Sequence, residues 1–120
     1  MTLQECYAAL GGDYEEVLSR LRSESLIRKF VLKFLDDPSY DLLQTSMAAE
    51  NWGEAFRGAH TIKGVCQNLS FTSLYRSSSQ LCDALRDGFH PEALPLAQTV
   101  RGDYEQTVSA IRTFQASLPI

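Results

Sequence analysis

Residues 51–69, NWGEAFRGAHTIKGVCQNL, decide the fold of this chain. Advancing about 100° per residue, Ala55, Ala59, Ile62, Cys66 and Leu69 fall in one arc, with Trp52 at its edge. Such an arc is the core-facing stripe of an amphipathic helix, and it predicts one running from about Trp52 to Leu69. Asn51 stands at its start as an N-cap, with Glu54 at the capping-box position three residues on.

On both sides of this stretch apolar residues keep the same three-and-four spacing, while Pro and Gly are sparse and β-branched runs are short. Upstream lies a short segment around Thr2 to Leu10. A Gly11-Gly12 break follows, and Asp13 with Glu16 opens a short helix through about Arg22. A helix from near Ser25 carries Ile27, Phe30, Val31, Phe34 and Leu35 on one stripe and ends at Asp36-Asp37-Pro38. Pro38 then suits the entry to a helix bearing Leu42, Leu43, Met47 and Ala48.

Downstream, a helix over roughly Thr72 to Arg86 turns Leu74, Leu81, Cys82 and Leu85 inward, with Ser77-Ser78-Ser79 read as its polar face. Asp87-Gly88-Phe89-His90-Pro91 forces a turn. The near-heptad series Ala93, Ala97, Val100, Tyr104, Val108, Ile111, Phe114 and Leu118 predicts one long last helix. It should begin close to Leu94, so that Pro95 sits in a first turn. The fold expected is all-α: an antiparallel four-helix bundle with additional short N-terminal helices as a lid, residues 1–120 forming a single domain.

The bulk numbers narrow the function. With 120 residues, 44% hydrophobic and 22% charged, the chain has the make-up of an ordinary soluble globular domain. Its formal charge of -4, without a basic cluster, argues against a nucleic-acid surface. Cys6, Cys66 and Cys82 are odd in number, lack a CxxC pair and have only two histidines for company. Neither a disulfide framework nor a zinc site fits them, and reduced thiols point to a cytoplasmic chain. No stretch reaches the roughly 18 apolar residues of a membrane span, and the N-terminus lacks the basic start and apolar run of an export signal.

On the predicted central helix His60 lies roughly 130° from the centre of the apolar arc, beside Gly53, Arg57, Gly64 and Gln67, with Phe56 and Lys63 flanking it. Positions i, i+3 and i+4 share one patch, so His60, Lys63 and Gly64 place an imidazole, a cation and a gap together. A glycine inside a helix costs about 1 kcal/mol relative to alanine, yet Gly53, Gly58 and Gly64 all fall here, two of them on the histidine's own face. A phosphoryl group on imidazole needs both room and a counter-charge, which Gly64 and Lys63 supply. Histidine is a competent nucleophile near neutral pH and forms covalent intermediates. Because phosphoryl transfer rests mainly on positioning and charge neutralisation, an outward-facing histidine needs only a partner that brings the metal and the acceptor.

These residues resemble a known family, the histidine-containing phosphotransfer (HPt) domains of bacterial phosphorelays. The match is Ala59-His60-Thr61-Ile62-Lys63-Gly64, extended through Val65, Cys66, Gln67, Asn68 and Leu69, and similar to the family's HxxKG core on the second of four bundle helices. The resemblance implies that His60 accepts a phosphoryl group from an aspartyl phosphate on a receiver domain and passes it to another receiver. Partners are then receiver domains of hybrid histidine kinases or response regulators. The protein itself carries no cofactor, and Mg2+ is expected on the partner receiver domain. Lys63 would stabilise the phosphate and Gly64 would admit the partner. Two positions depart from the pattern. Ser70 stands where glycine is frequent, which puts the helix-to-helix turn under strain or under a different cap. Gln67 is bulkier than the usual small residue, and either hydrogen-bonds the imidazole or phosphate or narrows the docking surface.

Around this core, Phe56 either anchors a partner helix or packs at the core edge, and Gly53 and Arg57 share the docking face. Arg57 and Arg76 add positive charge toward an acidic receiver pocket, although Arg76 reads more simply as a solvated charge. His90, in its Gly-Phe-His-Pro loop, reads as a turn residue. With no glycine-rich phosphate loop or nucleotide-binding pattern, the chain is expected to be a monomeric phosphocarrier without an ATP site rather than a kinase or other enzyme. The rivals are a helical adaptor that binds receivers without transfer, and a bundle metalloenzyme. The second needs inward Glu and His at i, i+3 on facing helices, which this sequence lacks.

Overall fold

Side-chain caps set where the helices begin. In the computed structural model, which describes residues 1–119, Thr2, Asp13, Ser23 and Asn51 each accept a hydrogen bond from the backbone N–H three residues on. They open α1 (Leu3–Leu10), α2 (Tyr14–Leu21), α3 (Glu24–Lys33) and α5 (Trp52–Leu69). A 3-10 turn, Phe34–Asp36, ends α3, and Pro38 leads into α4 (Ser39–Ala48). Then come α6 (Thr72–Leu85) and α7 (Ala93–Ala116), the latter with Pro95 in its first turn as the sequence requires. Among the described residues there is no strand, and no helix is long and apolar enough to cross a membrane.

The bundle is α4, α5, α6 and α7, packed in that order, with α1 against α7 and α3 against both α5 and α7. Short links make successive bundle helices antiparallel. Gly58 lets α4 and α5 approach closely: a Cβ there would stand 3.0 Å from the Leu43 N and 3.1 Å from the Leu43 Cα. On α4 the inward residues are Ser39, Tyr40, Leu43 and Ser46, whereas Leu42 and Ala48 face out and Met47 is half-buried.

One expected polar face turns out to be buried. Ser77 and Ser78 lie on the same arc as Leu74, Leu81 and Leu85 and are 3% and 0% exposed. Both hydroxyls donate to the Leu74 carbonyl, at 3.3 and 2.7 Å, so each serine behaves as a small, satisfied residue inside a helix contact. Thr107 on α7 does the same, fully buried with its Oγ1 donating to the Asp103 carbonyl at 2.7 Å.

The N-terminal helices grip the α5–α6 turn. The Asp13 N–H donates to the Ser70 carbonyl at 2.9 Å, and the Tyr7 hydroxyl donates to the Leu69 carbonyl at 2.8 Å. Ser70 is left-handed, with φ of 56°, a conformation that favours glycine. It is offset by contacts glycine lacks: its Oγ donates to Glu16 Oε1 at 2.7 Å and accepts from Arg20 at 3.0 Å. The same guanidinium donates to the Gln67 and Asn68 carbonyls, capping the end of α5. The turn is thus differently capped, and Glu16 serves this clip rather than closing a capping box on Asp13.

A chain of rings runs through the core beneath. Tyr7 packs on Phe71, Phe71 on Phe34, Phe34 on Tyr104, and Tyr104 stacks on Tyr40 at 3.8 Å. Each such pair contributes about 0.5–1.5 kcal/mol beyond its buried area. Together the rings join α1, the 3-10 turn, α4 and α7 and hold the bundle that carries α5.

Candidate functional site

The two faces of α5 differ as its sequence pattern requires. Ala55, Gly58, Ala59, Ile62, Cys66 and Leu69 are buried. Gly53, Arg57, His60, Thr61, Gly64 and Gln67 are exposed, and Phe56 and Lys63 are half-buried between them. His60 therefore stands on an outward face in the middle of a rigid 18-residue helix.

Neighbouring side chains shape one side of the imidazole. The Phe56 ring lies 5.9 Å from the His60 ring, centre to centre, tilted by 33°. Across from it Arg86, which follows the last residue of α6, holds its guanidinium carbon 5.6 Å from the Phe56 ring centre. Phe56, Arg57, His60, Thr61 and Arg86 line an open hollow of about 220 Å3. Arg57 is engaged elsewhere, with one nitrogen at 2.8 and 3.1 Å from the two Glu54 carboxylate oxygens. Arg86 donates to Asp83 at 3.0 Å.

Lys63, one turn further on, belongs to none of the ion pairs among the described residues. Its charge is felt at Cys82 on α6: burial pushes that thiol up, while the Lys63 and Arg86 cations pull it part of the way back. At Cys66 burial raises the thiol far more strongly. Both are inert small apolar residues rather than nucleophiles.

The glycines of α5 separate into two kinds. Gly58 is required by the Leu43 backbone against it. At Gly64 a Cβ would meet nothing within 4 Å, and at Gly53 only the Asn51 Oδ1 at 3.9 Å. Internal packing therefore has no use for a missing side chain at either outward position.

Gln67 sits two turns from His60, about 10 Å along the axis, and lines a separate hollow with Asp13, Glu16, Arg20, Ser70, Tyr75 and Arg76. Phe56, Arg57 and His60 are brought together; Gln67 is not. His90 is exposed, and its carbonyl accepts from the Ala93 N–H at 2.9 Å at the entry to α7. Among the described residues no three His, Cys, Asp or Glu side chains gather as metal ligands.

An outward histidine with Lys63 and Gly64 one turn on, on the second helix of an all-α bundle, fits the family suggested by the sequence, and a family model described as the Hpt domain matches residues 3–112. The chain belongs to the Hpt domain family. No match was found among curated proteins or among solved structures. Hpt domains are phosphocarrier modules that perform histidine phosphotransfer in phosphorelays and interact with receiver domains of two-component systems.

In this Hpt domain the α6 contribution to the site escaped the sequence reading, which took Arg86 as no more than a helix end. The signal was present in the hairpin. Counting nearly equal numbers of residues outward from the Ser70-Phe71 turn brings Phe56 level with Arg86 and Trp52 level with Phe89, and the second pair stacks at 4.5 Å.

Proposed function

We propose that this Hpt domain shuttles a phosphoryl group between receiver-domain aspartates through His60, as a cytoplasmic monomer. A ring nitrogen of neutral His60 attacks the phosphorus of an aspartyl phosphate. The P–N bond forms as the P–O bond breaks, and the electron pair returns to the aspartate as carboxylate. The acceptor receiver's aspartate then attacks the same phosphorus, and the imidazole leaves. The receivers supply Mg2+ in both steps. Lys63 neutralises phosphoryl charge, Gly64 leaves room for the partner's active site, and Gly53, Phe56 and Arg57 form the docking face around them. Gln67 belongs to the far end of that face. Three free, buried cysteines fit a reducing compartment.

The observation that carries this reading is Gly64. A residue costing about 1 kcal/mol in a helix stands one turn from an exposed histidine, where its own fold leaves open space. The test is incubation with a phosphorylated receiver and Mg2+. Acid-labile label is expected on the wild type and none on His60→Gln, with slower labelling of a fully folded Lys63→Ala. Label persisting in His60→Gln would refute the site. Receiver binding without label on His60 would favour the adaptor.

A further inference from the structure

Away from His60, at the pole of the bundle where α4 and α6 end and α5 and α7 begin, apolar side chains stand in water. Phe89 is 40% exposed and Leu94 53%, and Leu94 takes no part in the core. Phe89 stacks on half-buried Trp52 at 4.5 Å, and a 2.9 Å bond from the Ala93 N–H to the His90 carbonyl folds the start of α7, with Leu94, back onto the same loop. The surface is set in advance: Gly88 turns with φ of 109°, and Pro91 and Pro95 restrict the backbone on either side of Leu94. A partner therefore meets it at little ordering cost. Each of these apolar residues also follows a carboxylate by two positions: Trp52 follows Glu50, Phe89 follows Asp87 and Leu94 follows Glu92. Two steps along the chain span at most about 7 Å between Cα atoms. All three carboxylates are exposed, and none belongs to an ion pair among the described residues. Arg57 and Arg86, the guanidiniums at this end, are held by Glu54 and Asp83. Most of the chain's formal charge of -4 thus stands uncompensated beside the aromatic pair.

We propose that this pole docks a cationic amphipathic helix of a partner protein. The apolar stripe of that helix covers Trp52, Phe89 and Leu94, while its flanking lysines and arginines meet Glu50, Asp87 and Glu92. Two other occupants fit worse. A second copy of the chain would set these carboxylates against their own like, and a receiver's acidic pocket would meet the same repulsion. Trp52 also lies about 12 Å from His60 along α5, the rise of eight residues. A helix bound here is a separate contact from the phosphoryl partner, and the proposal stands apart from the role of His60.

Trp52 is the chain's single tryptophan, so its fluorescence reports on the patch. The probe is a synthetic helix of leucine and lysine, about 18 residues long with the leucines on one face, titrated at low salt beside a matching helix of leucine and glutamate. Expected are a saturable shift of Trp52 emission with the lysine helix, binding at least about tenfold weaker for the glutamate helix, and weakening of the first as salt is raised. Phe89→Ala and Leu94→Ser should each weaken the lysine helix at least about threefold, and Asp87→Asn with Glu92→Gln together about fivefold. Leu42→Ser, at an exposed leucine on α4, should bind as wild type does. Leu94→Ser leaves the core untouched and keeps the test valid should Phe89→Ala disturb the loop. Equal binding by wild type, Leu94→Ser and the charge variant would overturn the inference, as would a Trp52 emission that does not respond. Self-association abolished by Leu94→Ser would assign the patch to a second copy, and slower transfer from a receiver in Leu94→Ser would assign it to the receiver. Either result would displace the partner helix while leaving transfer through His60 standing.

Discussion

Exchanging glycine for alanine at two positions of α5 should move stability in opposite directions. At Gly64 the added methyl meets nothing within 4 Å, so only the helix propensity changes, a gain of about 0.5–1 kcal/mol. For a domain of this size that raises Tm by about 2–4 °C. At Gly58 the same methyl lands 3.0 and 3.1 Å from Leu43 backbone atoms, which cannot turn aside as a side-chain tip can. Overpacking of this kind costs about 1–3 kcal/mol and outweighs the propensity gain. A net loss of about 1 kcal/mol, or about 4 °C in Tm, is expected. Thermal unfolding followed by circular dichroism at neutral pH reads both. Transfer from a phosphorylated receiver supplies the functional half: Gly64→Gln should fold normally yet transfer at least about tenfold more slowly, because the side chain fills the space the partner needs. A lower Tm for Gly64→Ala would refute the packing argument, and wild-type transfer by Gly64→Gln would refute the steric one.

Two further outcomes follow from the clip and the core. Ser70→Ala keeps the left-handed backbone but loses the contacts to Glu16 and Arg20, so urea denaturation should show a loss of about 1–2 kcal/mol. Ser70→Gly regains about 1 kcal/mol through backbone freedom, and equal losses in the two variants would contradict this balance. At high pH the buried thiols govern: burial pushes Cys6 from 9 to about 11, so the folded protein holds a proton that the unfolded chain releases. Its contribution is therefore fully present below about pH 9 and falls by about 1.4 kcal/mol per unit from there to about 11. Cys66, Cys82 and Tyr7, also raised, add slopes of the same sign. A urea-unfolding free energy that stays flat from pH 8 to about 10.5 would show that these groups are not desolvated in the fold.

Local, periodic signals were enough for α5. Five inward residues at helical spacing, an Asn51 cap and an outward His60 face lie within 19 consecutive positions, and a helix places all of them with no information from elsewhere. The breaks at Gly11-Gly12, Asp36-Asp37-Pro38 and 87–91 are equally local, being matters of φ and missing N–H groups.

What the chain by itself could not disclose is anything that depends on a second helix. Ser77 and Ser78 read as polar because hydroxyls prefer water, yet a bond back to Leu74 lets them pack as small residues. Gly58 and Gly64 are the same letter on one helix, and only the Leu43 backbone distinguishes the glycine that packing demands from the one it leaves open. Arg86 reaches the histidine's hollow because α5 and α6 run antiparallel from the Ser70-Phe71 turn. Periodicity specifies a face, since that is a property of one helix. What meets that face is set by packing between segments far apart in the chain.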